Sequence, residues 1–199
     1  IPVPATALIP FGFFPLAGVM PYKTVAASYG HHLVLLMMGG FMISKSMELS
    51  GAHRRLALGM VRAVGGRGGR RIVLGFMLAS AALSMWITNA ATTLMLLPVA
   101  LAVLDQSTER DKLRTPLLLG IAYAASIGGM GTPIGTPPNV LFISQYEKTT
   151  GVETSFLDWM KIAMPVVLAM IPVTWLWLTR SLRESRGFQL TKVGPWRQS

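Results

Sequence analysis

The fold is decided by a run without Lys, Arg, Asp or Glu, residues 72–104, at whose centre stands Ser84-Met85-Trp86-Ile87-Thr88-Asn89-Ala90-Ala91-Thr92-Thr93. A transmembrane helix needs about 20 apolar residues. This run of 33 residues is too long for one span and too short for two spans and a turn. We therefore predict a re-entrant hairpin with arms 72–85 and 90–104. Irregular backbone at membrane depth is tolerated only inside protein or beside water, so the polar tip is a candidate binding site.

A second uncharged run, 115–146, is interrupted in the same way. Its middle reads Gly128-Gly129-Met130-Gly131-Thr132-Pro133-Ile134-Gly135-Thr136-Pro137-Pro138-Asn139. Proline removes a backbone donor and glycine disfavours helix, so no continuous helix passes through this segment. We predict a discontinuous transmembrane helix whose second half covers 139–146. In transporters such breaks place backbone carbonyls and helix ends near the bilayer midplane.

The composition is that of an integral membrane protein. Hydrophobic residues make up 52% and charged residues 13% of the chain, against about 25% charged in soluble domains. The net charge of +10 would favour nucleic acid on a soluble domain. Here the basic residues cluster at 54–71, 110–114 and 180–192, which is typical of cytoplasmic loops between membrane helices. We predict no nucleic-acid partner.

An enzyme is the least favoured class. The chain has no cysteine, and no constellation of His, Asp or Glu falls inside its uncharged runs. General acid–base chemistry therefore lacks candidate residues at membrane depth.

The other uncharged runs predict further spans, at 1–22, 24–44 and 162–179. We expect the first of these helices to be kinked or shortened by Pro2, Pro4, Pro10 and Pro15. Between the second span and the hairpin, 51–64 reads as a short amphipathic helix at the membrane surface. If the basic clusters are cytoplasmic, the hairpin must enter and leave on that side. The chain begins with Ile1 rather than Met, and we interpret it as part of a longer protein.

The tip carries oxygen atoms suited to an alkali cation. Ser84 and Thr88 are four residues apart, which places both hydroxyls on one face of a helix. The Asn89 amide oxygen and a carbonyl from Gly135 complete a set of hard donors for sodium. No carboxylate is near, which disfavours a divalent cation. The alternative interpretation is that these small polar residues only pack helices together.

The same two segments also offer hydrogen-bond donors to an anion. These donors are the Asn89 side-chain amide, the Thr136 hydroxyl and the N-termini of the helices. A cation held beside the anion offsets part of the cost of removing both from water.

Two motifs resemble those of a known family of carriers. The run Met85-Trp86-Ile87-Thr88-Asn89-Ala90-Ala91-Thr92-Thr93-Leu94-Met95-Leu96-Leu97-Pro98 is similar to the first Ser-Asn-Thr signature of the divalent anion:sodium symporters, which carry citrate, dicarboxylates and sulfate. The run 128–139 is similar to their next signature, in a broken fifth transmembrane helix. Gly39-Gly40-Phe41-Met42 and Phe156-Leu157-Asp158-Trp159-Met160 also fit. The resemblance covers nearly the whole chain up to Arg180.

The resemblance implies roles for individual residues. Sodium, the coupling ion, would be held by Ser84, Thr88, Asn89 and Gly135. A substrate carboxylate would be contacted by Asn89, Thr136 and Pro137. The family moves its substrate by an elevator motion of a transport domain against a dimeric scaffold, so a homodimer is expected.

Two departures from the family pattern matter. Ala90 lacks the hydroxyl of the Thr in the signature, which weakens any role for that position. Only one of the family's two inverted repeats is found here, so the chain resembles the N-terminal repeat and the C-terminal repeat is missing.

The predicted fold class is an all-α integral membrane protein, one half of an inverted-repeat transporter. Its predicted segments are scaffold-like transmembrane helices (1–53), a cytoplasmic interfacial helix and basic loop (54–71), the re-entrant hairpin (72–104), a connector and discontinuous transmembrane helix (105–146), a loop and last transmembrane helix (147–180), and a polar tail or linker (181–199).

The predicted function is sodium-coupled uptake of a small divalent anion by the N-terminal half of a secondary active transporter. Succinate, malate, citrate and sulfate belong to this substrate class, and a multi-pass location in the inner membrane of a bacterium is expected. Two alternatives stay open: a membrane module that senses an anion without transporting it, and a carrier of related fold for another anion, such as arsenite.

Overall fold

The computed structural model describes residues 3–52, 55–56, 58–59, 68–105, 107, 109–180 and 182. Within these ranges the regular structure is helical. The helices are α1 (Val3–Leu16), α2 (Tyr22–Tyr29), α3 (His32–Leu49), α4 (Gly69–Ser84), α5 (Asn89–Asp105), α6 (Arg110–Gly129), α7 (Pro137–Thr150) and α8 (Phe156–Leu178). The predicted all-α fold is thereby confirmed for the described residues.

The chain divides into two compact units, Ile1–Gly40 and Phe41–Ser199. In the first unit α1 and α2 pack together. The Tyr29 hydroxyl donates a 2.6 Å hydrogen bond to the Ala7 carbonyl, and its ring meets the Phe11 ring edge to face. The second unit contains both polar interruptions.

Helix α4 is the centre of the second unit. Ten of its 16 residues are buried, which is expected of a helix that is apolar on all sides and surrounded by others. Helix α6 packs closest to it, since a Cβ at Gly120 would lie 3.1 Å from Met77 Cγ. The buried Ser80 hydroxyl donates 2.8 Å to the Ile121 carbonyl and ties the two helices together.

In the described part of the chain, two stretches are long and apolar enough to cross a membrane, Tyr22–Leu49 and Phe156–Leu178. Shorter apolar helices are Ala5–Leu16 and Asn89–Asp105. Large apolar side chains on α8 are mostly exposed, for example Ile162 at 72% and Val173 at 66%. An exposed apolar helix surface of this kind is typical of contact with lipid rather than with water.

The bounds of the interrupted helices agree well with those predicted. Helices α4 and α5 match the arms 72–85 and 90–104 to within three residues, and α6 ends inside the predicted break. Their depth in a bilayer stays a prediction. Helix α7 is longer than predicted, because it begins at the two prolines and continues to Thr150.

Other predicted bounds need correction. The run 1–22 does not form one helix: α1 ends at Leu16, next to Pro15, and its 14 residues cover only about 21 Å. The predicted interfacial helix and basic loop, 54–71, lie mostly outside the described residues. The same holds for the predicted tail, 181–199.

Candidate ligand site at two helix breaks

The first break, 85–88, closes mainly through its own backbone. The amides of Trp86 and Ile87 both donate to the Leu83 carbonyl, at 3.0 and 2.9 Å. The Thr88 hydroxyl accepts from the Ala91 amide at 3.3 Å, which is the usual bond of a Thr that caps a helix N-terminus. Thr88 thus serves as the cap of α5.

This geometry corrects one sequence-based expectation. Helix α4 ends at Ser84, so Ser84 and Thr88 do not lie on one face of a continuous helix. Ser84 is fully buried and Thr88 is exposed. The helix stops here because the Trp86 amide makes the tighter i→i−3 bond to the Leu83 carbonyl and Thr88 caps a new helix.

Ser84 is instead paired with Asn89. Its hydroxyl donates a 2.5 Å hydrogen bond to the Asn89 side-chain oxygen, across the turn that separates α4 from α5. The two predicted sodium ligands therefore present their oxygen atoms to the same point. Asn89 is half-buried, so this point lies between the core and the outer surface of the turn.

The second break, 130–136, is held by side chains from outside it. The amide of the buried Asn139 donates to the carbonyls of Gly129 and Thr132, at 2.8 Å each. The Trp159 indole donates to the Met130 carbonyl at 2.9 Å. The carbonyls of Gly129 and Met130 have no helical partner because α6 ends there, and buried carbonyls require replacements. The Thr132 carbonyl also accepts from the Gly135 amide at 3.3 Å.

The two breaks contact each other. The buried Thr132 hydroxyl donates 2.6 Å to the Met85 carbonyl. A Cβ added at Gly129 would lie 2.6 Å from Asn89 Oδ1 and 2.6 Å from Thr136 Cγ2. Gly129 is therefore the point at which the tip and the second break meet.

Glycines make this close approach possible. A Cβ at Gly128 would overlap the backbone of Ala81 in α4, and one at Gly135 would overlap the backbone of Gly129. Three backbone segments thus lie against one another with no side chain between them. Such spacing is typical of small residues at membrane-helix interfaces.

The structure brings together four of the six predicted site residues. Asn89, Gly135 and Thr136 lie against Gly129, and Ser84 joins them through its bond to Asn89. None of the described residues donates a hydrogen bond to the Gly135 carbonyl. Thr88 belongs to the outer surface of the tip through its capping bond. Pro137 is exposed and begins α7.

Helix α7 is a poor source of donors for an anion. Its first two residues are Pro137 and Pro138, which have no amide hydrogen. The next amide, that of Asn139, already donates to the Thr136 carbonyl at 3.1 Å. Helix α5 begins with Asn89 and Ala90, which both carry an amide hydrogen, so the predicted contribution of helix N-termini rests on α5.

Sequence reasoning missed three residues that hold the site together: Thr132, Asn139 and Trp159. The missed signal for Asn139 was an amide directly after a stretch that frees several carbonyls. No local signal marks Trp159, because its bond to Met130 joins residues 29 positions apart.

Comparison with known proteins decides the family. A family model described as citrate transporter matches residues 1–194. The chain belongs to the citrate transporter family. The sequence-based resemblance is thereby confirmed, as is the prediction that the chain is not an enzyme, since the family consists of transporters.

Curated relatives agree with this family. The sodium-dependent dicarboxylate transporter SdcS of Staphylococcus aureus strain USA300 is 36% identical over 188 residues, which covers 89% of this chain and 36% of the relative. The protein of the same name in Staphylococcus saprophyticus subsp. saprophyticus gives the same identity and coverage. The chain thus spans about a third of the length of these relatives. A multi-pass membrane protein is the class that these matches establish.

Proposed function

We propose that this chain forms the sodium-binding half of a carrier that couples sodium to the uptake of a dicarboxylate or another divalent anion. The observation that carries the proposal is the meeting of the two helix breaks at Gly129, where Asn89 and Thr136 both approach. The two relatives named above are sodium-dependent dicarboxylate transporters, which supports the choice of ion and substrate class.

The helix lengths support a re-entrant position for α4 and α5. Helix α4 has 16 residues and α5 has 17, which cover about 24 and 26 Å. The hydrocarbon core is about 30 Å thick. Arms of this length that start at one surface place the turn 85–88 inside the bilayer, and α6 and α7 form the proposed discontinuous transmembrane helix.

Sodium is proposed to bind between Ser84, Asn89 and the Gly135 carbonyl. The Ser84 hydroxyl and the Asn89 oxygen, now bonded to each other at 2.5 Å, would both turn their lone pairs to the ion. The Gly135 carbonyl has no donor among the described residues and is open to a cation. Thr88 contributes by fixing the start of α5, and its carbonyl or hydroxyl completes the ligand set from the exposed side.

The substrate carboxylate is proposed to bind next to this sodium. Its donors are the Asn89 side-chain amide, the Thr136 hydroxyl and the first amides of α5, with Pro137 as an apolar wall. The dipole of α5 favours negative charge at this end. Ala90 stands in place of the Thr of the family signature. This position therefore lacks the hydroxyl donor but keeps its backbone amide donor.

The complete carrier is proposed to contain a second inverted repeat that supplies the other half of the substrate site. The relatives are almost three times as long as the segment matched here, since the match covers 36% of them. A homodimer, an elevator motion and the bacterial inner membrane are part of the same proposal.

Uptake of succinate by the intact transporter in proteoliposomes tests the proposal. Asn89→Ala is expected to abolish sodium-dependent uptake, because Asn89 serves both ligands. Ser84→Ala is expected to raise the sodium concentration for half-maximal uptake several-fold, since one hydroxyl ligand is lost.

Ser80→Ala is the matched control, one helical turn earlier, equally buried and bonded to Ile121. It should lower thermal stability without a change in sodium dependence. Normal sodium-dependent uptake by Asn89→Ala at normal expression would contradict the proposal. Succinate binding without counterflow in the wild type would favour an anion sensor.

A further inference from the structure

A second cluster lies where α4 begins and α8 ends, away from both helix breaks. The Arg70 Nε donates to the Thr179 hydroxyl at 3.1 Å, and its guanidinium lies 4.8 Å from the centre of the Trp175 ring. The Trp175 indole in turn donates 2.8 Å to the Arg70 carbonyl. Thr179 is fully buried. Arg70 is therefore fixed from three directions.

Arg180, the next residue after Thr179, is fixed in a similar way. Its guanidinium lies 4.0 Å from the centre of the Trp177 ring. Arg71 follows Arg70 and is exposed. Three cationic side chains, two of them stacked on tryptophan, thus share one end of the helical unit. We call Arg70, Arg71 and Arg180 the arginine cluster.

The members of the arginine cluster have no carboxylate partner among the described residues, whereas four other cations do. Lys45, Arg110, Lys112 and Lys161 each lie within 4.0 Å of an acidic oxygen, on Glu48, Asp105, Glu109 and Asp158 respectively. Among the described residues no such pair includes a member of the arginine cluster. Stacking on an aromatic face leaves the guanidinium edge free to donate.

The position of the arginine cluster indicates what kind of molecule it binds. Helix α8 is long and apolar enough to cross a membrane and ends at Leu178, so the next residues lie at the head-group level. Tryptophan is enriched at that level. The bond between Arg70 and Thr179 requires the start of α4 and the end of α8 to lie at the same membrane surface.

We propose that the arginine cluster binds the phosphates of anionic phospholipids at this membrane surface. Arg70 and Arg180 lie on opposite sides of α8, since the tryptophans on which they stack are two positions apart on the helix. Guanidinium groups bind phosphate oxygens through paired N–H donors, and Trp175 and Trp177 hold two of these groups in place before the lipid arrives. A lipid bound at Arg70 would stabilise the junction of α4 and α8, which the bond from Arg70 to Thr179 already joins. This inference rests on the membrane location alone and does not depend on the ion or the substrate.

The test uses the intact transporter in nanodiscs of phosphatidylcholine, with or without phosphatidylglycerol. Native mass spectrometry counts retained lipids, and thermal unfolding reports stability. The wild type should retain phosphatidylglycerol in preference to phosphatidylcholine and unfold at a higher temperature when it is present. In R71Q/R180Q the preference should fall about thirtyfold, since each arginine near a membrane surface contributes about 1 kcal/mol and every 1.4 kcal/mol is about tenfold.

Two further variants distinguish specific lipid binding from non-specific electrostatic attraction of anionic lipids. R70K keeps the charge but loses the planar stack on Trp175, and it should weaken the preference as well. R110Q removes a cation that is already paired with Asp105, and it should change the preference less than about twofold. An unchanged preference in R71Q/R180Q, or equal losses in R110Q and R71Q/R180Q, would overturn the proposal.

Discussion

The two helix breaks obtain hydrogen-bond partners for their backbone groups in opposite ways. The first, 85–88, is short, is closed by its own amides and by the Thr88 cap, and leaves Trp86 42% exposed. The second, 130–136, is largely buried and depends on donors from outside, above all Asn139. A buried break cannot take its hydrogen bonds from water, so side chains must supply them. We infer that the second break is the fixed half of the site and that ligands approach from the tip.

The largest effect is expected from the donor of the fixed half. Asn139→Ala leaves the Gly129 carbonyl without its side-chain donor. It leaves the Thr132 carbonyl with only the 3.3 Å bond from the Gly135 amide. Together these losses cost about 2–4 kcal/mol. Asn139→Asp should be no better, because a carboxylate cannot donate to either carbonyl. Thermal unfolding of the purified intact transporter measures both, with Gln145→Ala, at an exposed position of the same helix, as control. Full stability of Asn139→Asp would remove the contrast between the two breaks.

A smaller effect is expected where the backbones touch. In Gly128→Ala the new methyl group overlaps the backbone of Ala81, so α4 and α6 must move apart, at a cost of about 1–3 kcal/mol. Gly39→Ala is the control, since nothing lies within 4 Å of a Cβ there and alanine favours helix. If the two variants unfold at the same temperature, the backbones of α4 and α6 are not in close contact at Gly128.

The smallest effects concern the contacts of single hydroxyl groups. Thr132→Val loses the bond to the Met85 carbonyl and should cost about 1–2 kcal/mol, whereas Thr132→Ser should retain most of it. Thr88→Ala removes only an exposed cap with a 3.3 Å bond and should cost about 0.5–1 kcal/mol. A larger loss for Thr88→Ala than for Thr132→Val would reverse the assignment of the fixed half.

Removal of a buried hydroxyl that has no partner is expected not to lower stability, in contrast to the substitutions above. Thr92 Oγ1 has no hydrogen-bond partner among the described residues, and Thr92 is fully buried. Thr92→Val replaces the hydroxyl with a methyl group of similar size and should leave stability unchanged or slightly raised. Unfolding at a clearly lower temperature would show that this hydroxyl is satisfied in the folded protein.

Much of this architecture was predictable from the sequence. Charge-free runs with polar or proline-rich centres located α4 to α7 within a few residues, because glycine and proline act locally on the backbone. Ser84 and Asn89 were both predicted as sodium ligands, but neither the hydrogen bond between them nor the end of the helix at Ser84 was predicted. That end depends on the tight turn from the Trp86 amide to the Leu83 carbonyl and on the Thr88 cap, which composition does not encode.

Long-range contacts were beyond sequence reasoning. The bonds from Thr132 to Met85 and from Trp159 to Met130 span 47 and 29 residues, and one sequence carries no pattern that pairs such positions. The shortening of α1 after Pro15 follows from a known rule, but the rule does not say which of several prolines ends a helix.

The most direct test of the central claim is a double-mutant cycle on sodium affinity, read from the stabilisation of the intact transporter by NaCl relative to choline chloride. Ser84→Ala alters the tip, and Gly129→Ala pushes a methyl group between Asn89 and Thr136. If both breaks build one sodium site, each single variant lowers the affinity for sodium. The double variant then has an affinity only slightly lower than that of either single variant. Unchanged sodium affinity in Gly129→Ala, or losses that simply add, would contradict the account.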